Sequence, residues 1–117
     1  MIIQDVHDVV ARTRFLTTDE GGRETDVAPQ SALGYRPIFF LEGDAEGHSC
    51  VILVEAIGGR IALGSRVDVP ILFLFPELIK PRLKVGNRFT LWEGHTIANG
   101  EIIEISRGNV RQPRKMG

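Results

Sequence analysis

VVARTRFL, residues 9 to 16, carries the reading on which the fold rests. Val9, Ala11, Thr13 and Phe15 share one parity, and Arg12 and Arg14 share the other. A period of 2 is that of an extended strand with one face buried, because successive side chains leave a strand on opposite sides. The same eight residues wound into a helix would scatter their apolar members around its circumference.

Working outward, the rest of the chain repeats the pattern. GYRPIFFLEG puts Tyr35, Pro37, Phe39 and Leu41 on one parity, and its proline, which cannot donate to a ladder, places the strand start near Ile38. SCVILVEAI, residues 49 to 57, is apolar on both faces and ends at Gly58-Gly59, so it reads as a central strand closed by a turn. VDVPILFLF sets Val67, Val69, Ile71, Phe73 and Phe75 on one face, the largest apolar contribution in the chain. Pro76 and Pro81 prevent a sustained helix in PELIKP. RFTLWEG and GEIIEISRG, from residues 88 and 100, supply strands five and six.

Six short strands with no helical stretch long enough for a parallel crossover predict an all-β, antiparallel domain. Closing six strands into a small barrel removes the exposed edges of an open sheet; a two-sheet sandwich is the alternative. The expected organisation is one barrel over residues 1–108 and a basic, flexible tail over 109–117, where Arg111, Arg114 and Lys115 have little to bury. At 117 residues a single domain buries about 65% of its unfolded surface, enough for one core.

Composition narrows the functions. A formal charge of -1 supplies no global field toward nucleic acid or membrane, so any polyanion site is a local patch. The single Cys50 excludes an intrachain disulfide and fits a reducing compartment; beside Val51 and Leu53 it reads as core. No run approaches the roughly 20 apolar residues of a membrane span, and MIIQDVHDVV has no basic region ahead of an apolar one, so the expectation is a cytoplasmic protein with no membrane partner.

The phosphate loop GxxxxGK[ST] does not occur, so no nucleotide is expected on this chain. His7, His48 and His95 are about 40 residues apart without an i, i+2 or i+4 partner, which leaves no metal site and no implied cofactor. No GxSxG elbow is present. The expectation is a protein with no catalytic residues.

One loop remains conspicuous: Asp19-Glu20-Gly21-Gly22-Arg23, read together with Gly34-Tyr35-Arg36-Pro37 and Glu93-Gly94. The order Phe15-Leu16, Glu20 to Arg23, Thr25; Gly34 to Pro37, Phe39; Val85-Gly86, Phe89; Glu93-Gly94, Thr96, Gly100 and Ile102 resembles the C-terminal β-barrel domain, domain 3, of bacterial translation elongation factor Tu. The matching residues run through nearly the whole chain. The resemblance implies a six-stranded antiparallel closed barrel of Greek-key type. It also implies a surface, facing aminoacyl-tRNA or the factor's other domains, that maps here to Arg23, Gly34, Tyr35, Arg36, Glu93 and Gly94.

The sequence departs from that pattern. No GTPase domain or middle barrel has a counterpart in these residues. The threonine-proline after the EGGR motif is interrupted as Thr25-Asp26-Val27-Ala28-Pro29, Trp92 stands where a basic residue usual in the family would be, and the loop EGHTIANG has lost an arginine. Fewer cations weaken a polyanion site, whereas Trp92 suits a protein interface or base stacking. The leading expectation is a non-catalytic protein-interaction module linked to the translation machinery; the alternative is a module for tRNA or other structured RNA. For the loop, Glu20, Gly21, Gly22 and Arg23 are expected to act as a structural device pinned by ion pairing to Arg36 or to backbone carbonyls, a role compatible with binding.

Overall fold

Strand β1, Val9–Phe15, buries the set its alternation demands: Val9, Ala11, Thr13 and Phe15 are fully shielded while Arg12 faces solvent. The buried Thr13 hydroxyl is satisfied by the Ala11 carbonyl at 3.1 Å. This computed structural model describes residues 7–30 and 34–106; the expected basic tail lies outside the described residues.

Five further strands follow: β2 Ile38–Leu41, β3 His48–Ile52, β4 Arg66–Phe73, β5 Arg88–Trp92 and β6 Thr96–Ile105. They form a closed barrel in the order β1-β4-β3-β2-β5-β6, with every neighbouring pair antiparallel. Strands β2, β3 and β4 lie side by side in chain order, and β5 returns to lie beside β2, which is the Greek-key arrangement. At the centre, the Phe39 ring stacks on Phe89 at 4.7 Å and meets Phe73 edge-on at 4.9 Å.

Three strand limits differ from the sequence reading, each for a physical reason. The run expected as a strand over 49–57 leaves the sheet after Ile52. Leu53 donates its N–H to the Pro70 carbonyl, but Pro70 has no N–H to return, so the Leu53 carbonyl accepts from Ala56 and starts the 3₁₀ turn Val54–Ile57. Phe75, expected on the inward face of β4, lies beyond that strand and is 56% exposed. Strand β6 begins at Thr96 rather than near Gly100. Gly100 sits opposite Phe89, and a Cβ there would come within 2.6 Å of that ring, so the glycine marks close packing inside a strand instead of a turn.

The long β1–β2 connection is tied to the barrel by two bridges, Val27 to Ile61 and Tyr35 to Ile52. The β4–β5 connection is two single 3₁₀ turns, Pro76–Leu78 and Lys80–Arg82, which bury Ile79 and leave Leu78 exposed. Among the described residues no helix is long and apolar enough to cross a membrane.

Candidate functional site

The three motifs that are far apart in the chain meet at one end of the barrel. The EGGR loop begins as a 3₁₀ turn, Thr18–Glu20, closed by a reciprocal capping box: Glu20 N–H donates to Thr17 Oγ1 at 3.2 Å, and Thr17 N–H donates to Glu20 Oε1 at 2.8 Å. Gly21 then takes the left-handed conformation, φ +91°, that ends the turn. Gly22 has ordinary φ but lies against Leu16, whose carbonyl a Cβ would strike at 2.4 Å. Glu20 pairs with Arg14, not with Arg36 as expected, through two contacts of 3.0 and 3.2 Å. That arginine, then the Thr17 amide, holds the Glu20 carboxyl below its usual range.

Beyond Gly22 the chain delivers Arg23 to the hairpin joining β5 and β6. Arg23 Nη1 donates to Glu93 Oε1 at 2.7 Å and to the Tyr35 hydroxyl at 3.3 Å, and its guanidinium lies 5.0 Å from the Tyr35 ring centroid. Tyr35 donates to the same Glu93 oxygen at 2.5 Å. Arg23 Nε also donates to the Thr25 carbonyl at 3.1 Å, so the expected link to backbone carbonyls is present. His95 Nε2 lies 3.2 Å from the Gly22 carbonyl and adds a second tie between loop and hairpin.

Burial governs the chemistry of this cluster. Burial, and then the bond to Glu93, push the Tyr35 hydroxyl well above its usual range, so it is a fixed donor. Burial opposes the charge on Arg23, but the bonds to Tyr35 and Glu93 outweigh it and keep its pKa raised. With its side chain only 17% exposed, Arg23 has its donors committed within the protein. Gly34 is likewise an internal device: at φ +134° it lets the Ile52 carbonyl approach to where a Cβ would be 2.3 Å away. Arg36 stands apart, exposed, its backbone N–H held by Gln30 Oε1 at 3.1 Å. Gly94 occupies the open tip of the hairpin at φ +81°.

Trp92 points the other way, onto the outer face of the sheet. It is 41% exposed and meets Phe40 of β2 edge-on, at 6.4 Å and 78°. The two rings flank one end of an open groove of about 810 Å³ that crosses β5, β6 and β1 and ends at Arg66 of β4. Thr90, Asn99, Arg12, Arg14 and Arg88 also line it. Sequence reading placed Arg12 and Arg14 outward but could not find the groove, because its lining is assembled by register across five strands.

Among the described residues no group of three or more His, Cys, Asp or Glu is placed to hold a metal. Cys50 is 1% exposed, and burial raises its thiol pKa. No family model and no curated protein matches the chain.

Proposed function

We propose that this barrel is a non-catalytic protein-interaction module and that its partner docks on the groove beside Trp92. The observation that carries the reading is the exposed indole itself. A tryptophan propped by Phe40 at the end of a preformed groove presents a large surface at little entropic cost, the usual property of an interface anchor. A connection to the translation machinery rests on the resemblance of the EGGR, GYRP and EG motifs to the elongation factor barrel. In this structure those motifs lock Arg23, Tyr35 and Glu93 to one another, which favours a scaffold role for them and leaves recognition to the opposite side of the hairpin.

One observation favours the second reading, an RNA module. Arg66 and Arg88 line the same groove and make no ion pair among the described residues. Capture of complexes from a cell lysate, with and without ribonuclease and with W92A as control, separates the two. A ribonuclease-resistant protein held by the wild type and lost by W92A supports the protein reading. A ribonuclease-sensitive complex whose retention falls steeply with salt supports RNA and overturns it.

A further inference from the structure

The outer face of the sheet carries two parallel rows of side chains, related by the register of five strands. The first runs Asp68, Arg12, Glu101, Arg88, each opposite the next on the neighbouring strand, and continues to Glu42, whose N–H donates to the Arg88 carbonyl. Its charges alternate in sign, and Arg12 closes on Asp68 at 2.9 Å. Opposite charges therefore face one another along that row, with Arg12–Asp68 its one closed ion pair among the described residues.

The second row runs Arg66, Arg14, Asn99, Thr90, Phe40, with Trp92 beside its last member. Here two arginines stand directly opposite each other on β4 and β1, an arrangement that costs stability. Arg14 is relieved by Glu20, but Arg66 forms no ion pair among the described residues, its strand neighbour Asp68 being taken by Arg12. The row thus passes from an arginine in no ion pair, through one paired with Glu20, an amide and a hydroxyl, to two aromatic rings.

Resting on the protein-interaction reading above, we infer that the groove receives an extended peptide segment with a carboxylate at the Arg66 end and an aromatic or large aliphatic side chain at the Trp92 end. Followed around the curved sheet, four interstrand steps of about 4.8 Å give a path of roughly 19 Å, which about six residues of extended chain would cover. The carboxylate supplies the charge that Arg66 lacks, and Asn99 and Thr90 offer hydrogen bonds to the peptide backbone between the two anchors. A polynucleotide fits less well, because it carries a phosphate at every nucleotide and would set some of them beside Glu101 and Glu42 of the adjacent row.

The test is selection from displayed random peptides about seven residues long, with R66Q, W92A and a short oligouridine as comparisons. Enriched peptides should carry Asp or Glu four to six positions from an aromatic or aliphatic residue. Replacing that acid by its amide, or Arg66 by Gln, should each weaken binding about tenfold, and the two changes together little more than either. Failure to enrich any peptide, enrichment without acids, or R66Q binding like the wild type overturns the inference. If a captured protein partner is lost by W92A but unaffected by R66Q, protein interaction stands and the acidic-peptide inference falls. If oligouridine binds in the groove and no peptide does, both fall.

Discussion

Removing the Tyr35 hydroxyl tests whether the Arg23, Tyr35 and Glu93 cluster holds the end of the barrel together. Y35F leaves the ring, its contact with Phe15 at 6.5 Å and the Arg23–Glu93 pair, and deletes the 2.5 Å hydrogen bond to a carboxylate together with the longer one, 3.3 Å, accepted from Arg23, which keeps Glu93 as its main partner. Hydrogen bonds to charged groups contribute about 1.5–3 kcal/mol. Glu93 is 38% exposed, so water can partly replace the lost donor and the lower end applies, about 1.5 kcal/mol. For a domain of this size that is a fall in Tm of roughly 6 °C, readable by scanning calorimetry. Because both changes remove the same bond, Y35F and E93A should be sub-additive by about 1 kcal/mol in a double-mutant cycle. A Y35F Tm within about 1 °C of wild type, or strictly additive single changes, would refute the claim that the cluster is a structural lock.

Other expectations follow from the same geometry. Gly34→Ala places a Cβ 2.3 Å from the Ile52 carbonyl at a φ hostile to L residues, so it should cost about 3 kcal/mol or more; a soluble variant with wild-type Tm would show that the loop relaxes freely. Tyr35 is the only tyrosine, so ultraviolet absorbance reports it alone: the folded protein should show no phenolate at pH values near 10, where the urea-unfolded chain ionises. Since the folded pKa is the higher one, this group's contribution to stability is intact below about pH 10 and is lost as pH rises beyond it. Glu20 and Asp44 have lowered folded pKa values, Glu20 through Arg14 and Asp44 through Arg82, so the opposite sign holds. Their contribution is present above about pH 4.5 and lost on acidification, and E20Q should shallow the acid limb of a Tm-against-pH profile.

Most of the barrel was legible because alternation is a local property. Val9, Ala11, Thr13 and Phe15 declare their faces without reference to any other strand, and every strand has a core member that does the same. What was not legible depended on a distant partner. Leu53 leaves the sheet because Pro70 cannot answer it, and Asn99-Gly100 reads as a turn until Phe89 is known to lie against the glycine. The site divides likewise. Arg23, Tyr35 and Glu93 were singled out by motif and are brought together, but Glu20 answers to Arg14 rather than Arg36. The row ending in Arg66 has no motif at all, since its members are adjacent only through register.

Strand β1 has consequences for how the protein is made. Both of its neighbours are later in the chain, β4 at Arg66–Phe73 and β6 at Thr96–Ile105, and Val9 is held between Ile71 and Ile105. During synthesis the ring therefore stays open until Ile105 has cleared the ribosome. Up to that moment the nascent sheet shows two raw edges, one side of β1 and one side of β5, each able to capture a stray strand. Closure also joins segments more than 80 positions apart, which predicts a final zippering on the millisecond-to-second scale of non-local β proteins. The outward arginines of β1, Arg12 and Arg14, are then more than groove lining: while the edge is bare, their charge discourages the wrong partner from arriving first.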